Sequence, residues 1–237
     1  IWSMGPPSSG GILIAQILNM LEPYNLGAMG WGSARLTHLV VEAERRAYAD
    51  RSVHLGDPDF WEVPTAKLMD VNYARERMKD FDPERATLSR ELAAGQWADE
   101  SEDTTHYSLI DKDGMMVAIT TTLNSSFGSQ LVIPGTGILM NNEMDDFSAQ
   151  PGVPNQFGLL GAEANAIQPM KRMLSSMTPT LVTRDGAPFL ITGSPGGSTI
   201  ITTVLQVIMN VIDHGMSVAE AVGSPRVHHQ GFPDAIQ

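Results

Sequence analysis

Apolar residues recur along this chain with two different periods, and the switch between them divides it. After Ser8-Ser9-Gly10-Gly11, the stretch from Ile12 to Leu21 is apolar on nearly every side, which predicts a mostly buried helix ended by Pro23. A second helix is expected after Ser33. There Leu36, Leu39, Val40, Ala43 and Ala47 share one face, leaving Glu42, Arg45 and Arg46 to a wet side. A third is expected from Pro64, a residue suited to a first helical turn, to about Asp80. The acidic, Pro- and Gly-punctuated segment from Asp82 to Thr104 reads as a surface excursion.

From Thr104 onward the period becomes two. Thr105 to Ile110 and Met115 to Leu123 flank Asp111-Lys112-Asp113-Gly114, a hairpin pattern. Thr180 to Thr183 and Pro188 to Thr192 repeat it around Arg184-Asp185-Gly186-Ala187. Ser194-Pro195-Gly196-Gly197-Ser198 then opens a buried helix running to about His214 and closed by Gly215. Ser217 and Glu220 have capping-box spacing for a short last helix, which Pro225 stops. Residues 125–178 are dense in Gly and Pro and carry one expected short strand, Gly137 to Met140; such a long irregular stretch inside a domain is usually functional. Helices first and paired strands later indicate an α/β or α+β layered domain.

Charge and composition narrow the function. Against 27 Asp+Glu stand only 15 Lys+Arg, scattered singly or in pairs, and the net charge of -12 disfavours nucleic acid and anionic membranes. No apolar run reaches the roughly 18 to 20 residues of a membrane span. A chain without cysteine has no thiolate metal site and no cysteine nucleophile, so a nucleophile must be sought elsewhere. His106, His228 and His229 lack ligand spacing and read as solvated; neither a metal nor a cofactor is expected. The chain opens on Ile1-Trp2-Ser3 without an initiator Met or a leader-like segment, which is expected of a fragment.

Four groups of residues carry candidate chemistry. At Glu102-Asp103-Thr104-Thr105-His106 an acidic linker meets a strand. Thr104 there is either an ordinary strand start or, if the chain is cut before it, an N-terminal threonine. Its hydroxyl would then be the nucleophile and its own α-amine, of reference pKa about 7.7 to 8.0, the base. Gly196 and Gly197 form either a tight turn or a pair of amide donors for an oxyanion at a helix start. The run Asn141 to Asp146 is turn chemistry or a site for an ammonium; adjacent Asp145 and Asp146 diverge too far for a glycosidase pair. Ser175-Ser176 is a plain loop or a pair of hydroxyls for a carboxylate.

In order, TTHYSLIDKDG, TTLNSSFG, GILMNNEMDDFSAQPGVPN, KRMLSSMTPT and TGSPGGSTIITTVLQ resemble the γ-glutamyltranspeptidase family, as do PPSSGGILIAQILNMLE and AYADRSVHLGDPDF upstream. The resemblance spans essentially the whole chain. It implies the N-terminal nucleophile fold, an αββα sandwich truncated here at both ends. It also implies self-cleavage between Asp103 and Thr104, with residues 1–103 the end of a large subunit and 104–237 the start of a small, catalytic one that stays paired with it. Carried over by position, Thr104 is the nucleophile, Thr122 its supporting hydroxyl, and Gly196 and Gly197 the oxyanion donors. Asn124, Glu143 and Asp146 take the substrate's α-amino group, and Ser175 and Ser176 its α-carboxylate. The implied partners are glutathione and other γ-glutamyl compounds, with water, amino acids or dipeptides as acceptors; the implied location is periplasmic or extracellular.

The chain departs from the family pattern at two positions. Glu143 stands where many bacterial members have Gln, and an ammonium is accepted by either. Phe157 stands where lidded members have Tyr, so a lid over 151–162 would be held by packing alone, with looser gating. The family's carboxylate-clamping arginine lies upstream of this chain. Two other readings are weighed beside this one: an amide acylase of the cephalosporin acylase kind, and a binding homologue that never matures.

Overall fold

A computed structural model describes residues 1–92 and 104–237 except 154, 157, 158 and 160; Asp103 and Phe157 lie outside the described residues. Strand β1 (Trp2–Ser3) leads into α1 (Gly10–Leu21), the short α2 (Leu26–Met29) and the long α3 (Ala34–His54). Then follow α4 (Thr65–Leu68), α5 (Val71–Arg77) and α6 (Ser89–Leu92). From Thr104 onward come β2 (Thr104–Ile110), β3 (Met116–Thr122), β4 (Thr180–Arg184), β5 (Ala187–Thr192), α7 (Thr199–Ile212) and α8 (Val218–Gly223). The fold is α+β.

Both hairpins form where alternation and turn chemistry point. Thr104 opposes Thr122 and Ile110 opposes Met116 in an antiparallel pair. Its turn is held by the Asp111 carboxylate, which accepts from the backbone N–H of Asp113 and Met115 at 2.9 and 2.8 Å. In the second hairpin Asp185 and Gly186 take φ of 53° and 79°, the left-handed pair that a two-residue hairpin turn requires. That hairpin gains a third strand, unanticipated from sequence, because β1 pairs antiparallel with β4. Two residues cannot carry a periodicity signal, so β1 exists only through its partner.

The core is the meeting of α1, α3 and α7, with Ile12, Leu13, Ile17, Leu39, Ala43, Ile200, Val204 and Leu205 all but inaccessible. Each of the Leu, Ile and Val side chains among them contributes about 1.5–3 kcal/mol by leaving water. Val182 and Leu190 extend this core into the three-stranded sheet, and the β2–β3 hairpin lies against β4 and β5. The helix layer and the two sheets thereby bring the N-terminal end of β2 and the N-terminal end of α7 together.

Several expectations are corrected. The third helix is not continuous: Asp70, with extended backbone, caps α5 by accepting from the Tyr73 N–H at 2.9 Å, and so ends α4. The strand expected at Gly137 to Met140 reduces to a single bridge between Val132 and Leu139. The side of α3 carrying Glu42, Arg45 and Arg46 is not wet; these residues are 0%, 4% and 0% exposed. Arg46 pairs with Glu42 at 2.5 Å and with Asp80 at 2.9 Å, while Arg45 binds Asp234 and Ser89. Periodicity cannot register charges buried in pairs. His228 and His229 are likewise buried rather than solvated, at 5% and 1% exposure, and burial lowers both imidazole pKa values to about 4. The excursion after Asp82 contains α6, whose Ser89 is buried.

Candidate active site

Thr104 is the first residue of β2, opposite the last residue of β3. Its hydroxyl donates to the Thr122 hydroxyl at 3.3 Å, and the Thr122 oxygen also accepts from the Asn124 backbone N–H at 2.9 Å. Threonine at both ends of one register position makes this contact a consequence of strand pairing. In this sequence Asp103 precedes Thr104, so the Thr104 nitrogen belongs to a peptide amide, which is no base.

Around Thr104 a cavity of about 30 Å³ is lined by Thr122, Asn124, Glu143, Asp146, Ser175, Ser176 and Gly197, with Leu159, Leu174, Met177 and Ile200 as its apolar walls. That volume has room for about two waters. Thr104 and Thr122 also border an open, hydroxyl-rich groove of about 350 Å³ on which Thr105, Thr121, Ser125 and Ser126 lie. All the residues singled out by sequence for the pocket thus fall on one cavity except Gly196, which lies next to Gly197 but does not line it.

Each wall has a local cause. Asn124 leaves β3 with φ of 76°, a left-handed conformation that Asn tolerates better than most residues, and its buried amide donates to the Asn142 carbonyl at 3.2 Å. The Asn142 side chain holds the next residue, accepting from Ser125 N–H at 3.0 Å and donating to Ser125 Oγ at 3.0 Å. This stitches the β3 exit to the 3-10 turn Glu143–Asp146. Ser175 and Ser176 are held from the other side: the Ser175 carbonyl accepts from Ser9 Oγ at 2.8 Å and Ser9 N–H at 2.9 Å. The serine at the start of α1 therefore does not cap that helix; it ties the two-serine loop to it.

Electrostatics set the protonation states. Burial, reinforced by the neighbouring Glu143 charge, pushes the Asp146 carboxyl up to about 7, while Arg51 and the Asn124 amide oppose the rise. Burial raises the Glu143 carboxyl as well. Two carboxylates crowded into a half-buried wall favour an incoming cation.

Gly196 and Gly197 take φ of 127° and 52°, and Thr199 Oγ1 donates to the Gly196 carbonyl at 2.6 Å. A Cβ on Gly196 would overlap that hydroxyl. The turn feeds straight into α7, whose helix dipole lies behind it.

One polar group behind the pocket was not singled out from sequence. Arg51, buried, donates from Nε to Ser9 Oγ at 3.0 Å and from Nη2 to Ser176 Oγ at 3.2 Å, and its charge acts on Asp146. The signal was present: on α3 Arg51 continues the apolar series Leu36, Val40, Ala43, Ala47, and a charge on a buried face is a place to look.

A threonine heading a strand of an α+β fold, beside polar walls and a glycine turn at a helix start, accords with the N-terminal nucleophile fold of the solved structures this chain resembles. The family model for γ-glutamyltranspeptidase matches residues 1–237, and the chain belongs to that family. It is 55% identical over 238 residues to the glutathione hydrolase proenzyme of Escherichia coli K12, covering 100% of this chain and 41% of that protein. The T380A mutant of Helicobacter pylori γ-glutamyltranspeptidase superposes with a TM-score of 0.55 at 57% identity over 56% of this chain and 71% of the other. A cephalosporin acylase from Bacillus halodurans superposes with a TM-score of 0.73 at 25% identity over 96% of this chain and 38% of the other. The chain spans about two fifths of the length of the curated relatives it matches. Among the described residues no helix is long and apolar enough to cross a membrane.

Proposed function

We propose that this chain is the catalytic centre of a self-processing γ-glutamyl acyltransferase and hydrolase that acts on glutathione and other γ-glutamyl amides. The observation that carries the reading is the convergence on one cavity of the Thr104–Thr122 hydroxyl pair with Glu143, Asp146, Ser175, Ser176 and Gly197. In maturation the Thr104 hydroxyl attacks the Asp103 carbonyl and water hydrolyses the resulting ester. Residues 1–103 become part of a large subunit and 104–237 part of a small one, and the freed α-amine of Thr104 becomes the base.

In turnover the Thr104 oxygen gives its proton to that amine and attacks the γ-carbonyl carbon. Gly197, with Gly196, donates to the developing oxyanion, a contact worth about 3 kcal/mol or more in other enzymes. Collapse returns the proton to the leaving amine and leaves a γ-glutamyl ester on Thr104. Water, or an amino acid or dipeptide arriving by the open hydroxyl-lined groove, releases it. Asp146, Glu143 and Asn124 hold the donor's ammonium; Ser175 and Ser176 hold its carboxylate. A periplasmic or extracellular site of action accords with the family. The acylase reading is less well supported, because an acyl group without an ammonium leaves Asp146 and Glu143 crowded and unneutralised.

Intact mass and N-terminal sequencing of purified, incubated protein test this, on the whole gene product and on this chain, with Thr104→Ala as control. A fragment beginning at Thr104, together with release of amine from a γ-glutamyl anilide, is expected of the whole product. Folded protein that stays uncut in both forms overturns the proposal in favour of a binding homologue.

A further inference from the structure

Three buried side chains on α3 form one stripe at i, i+4 and i+7: Glu44, Tyr48 and Arg51. All three lie before the cleavage point, and each reaches a different segment beyond it. Glu44 accepts from the His229 backbone N–H at 3.0 Å, Tyr48 donates its hydroxyl proton to the Ser198 carbonyl at 2.7 Å, and Arg51 donates to Ser176 Oγ at 3.2 Å. The middle contact falls on the residue that joins the Gly196-Gly197 turn to α7.

We infer that Tyr48 is a positioning residue for the oxyanion turn, holding the Gly196 and Gly197 peptides in the orientation that serves the tetrahedral state. This rests on the function proposed above. Glycine at φ of 127° and 52° has no side chain to restrict it, so the turn's orientation depends on what grips its ends. Thr199 Oγ1 grips the Gly196 carbonyl, and Tyr48 grips the Ser198 carbonyl from the opposite subunit segment. Tyr48 is itself fixed: its ring stands edge-on to His228 at 5.7 Å and 85°, and His228 is hydrogen-bonded to Thr202 on α7 at 2.8 Å. The phenol touches no reacting atom. Its loss should therefore be felt where the oxyanion forms and not where the glutamyl group is bound.

The test is Tyr48→Phe in the whole gene product, which removes one oxygen and leaves the ring against His228. Hydrolysis of a γ-glutamyl anilide is expected to lose about tenfold in kcat with KM changed less than twofold. Affinity for an aminoboronic acid analogue of glutamate, which makes a tetrahedral adduct with a hydroxyl nucleophile, is expected to weaken about tenfold, and inhibition by glutamate to stay within twofold. Unchanged kcat, or equal weakening of boronate and glutamate, overturns the assignment of Tyr48 while leaving the proposed function standing. Wild-type protein that neither turns over the anilide nor binds the boronate overturns the functional reading, and this one with it.

Discussion

Replacing Asp146 by Asn should stabilise the protein at alkaline pH while crippling it as an enzyme. The carboxyl's pKa rises from its ordinary 3.8 to about 7 in the fold, through burial and the nearby Glu143 charge. A native pKa above the unfolded one means the folded state holds the extra proton between those values. Stability from this group is therefore intact below about pH 4 and falls until about pH 7, after which the loss is constant. A rise of that size corresponds to at most about 4 kcal/mol, and water entering a half-buried pocket reduces it to about 1–2 kcal/mol. Asp146→Asn removes the titration, so its melting temperature should exceed wild type by about 3–6 °C at pH 8 and match it near pH 4.5. The same variant should lose about 100-fold in kcat/KM for a γ-glutamyl amide, since the substrate ammonium loses a charged acceptor. Wild-type KM should fall as pH rises from 6 to 8, as Asp146 ionises. A pH-independent difference in melting temperature would refute the burial argument; unchanged kcat/KM would refute the ammonium assignment.

Three further outcomes are expected. Thr122→Ala removes the oxygen that accepts from both Thr104 and the Asn124 N–H, and should slow self-cleavage and turnover about 10- to 100-fold with little change in KM, read by intact mass and steady-state kinetics. Gly196→Ala places a Cβ against the Thr199 hydroxyl at a φ that side chains rarely adopt. It should cost about 2–3 kcal/mol in a thermal melt and abolish measurable turnover. Asp57, buried, accepts from Arg172 Nε and its backbone N–H at 3.0 and 2.8 Å, and these hydrogen bonds hold its pKa down to about 2. Asp57→Asn should lower stability by about 1–2 kcal/mol at pH 7. The wild-type advantage is full above pH 4 and lost as pH falls toward 2, checked by melts across that range.

Much of the scaffold is legible in the chain because its signals are local. A two-residue period around Asp185-Gly186, a Ser217–Glu220 capping box that forms as spaced, and an apolar run ending at Gly215 each act within a few residues. The candidate site was legible for a different reason: its chemistry sits in short runs whose order resembles a family, and the fold brings those runs to one cavity. What stayed hidden is nonlocal. Nothing near Trp2 marks a strand until Leu181 pairs with it, and nothing near Ser9 says that its hydroxyl will serve Arg51 and Ser175 instead of its own helix.

The sequence by itself determined the types of the longer elements, the absence of cysteine, the placing of Thr104 at a strand start and the short runs whose residues line the cavity around it. Tertiary structure alone decided which charges are buried. Glu42, Arg45 and Arg46 look like a wet helix face, yet they are enclosed because Asp80, Ser89 and Asp234 arrive from distant segments to satisfy them. It also decided that Asp146 meets Glu143 and Arg51 in a half-buried pocket, and so which way its proton affinity moves. The physical reason is the same in both cases. Burial and pairing are sums over neighbours far apart in the chain, whereas periodicity and turn chemistry are properties of neighbours along it.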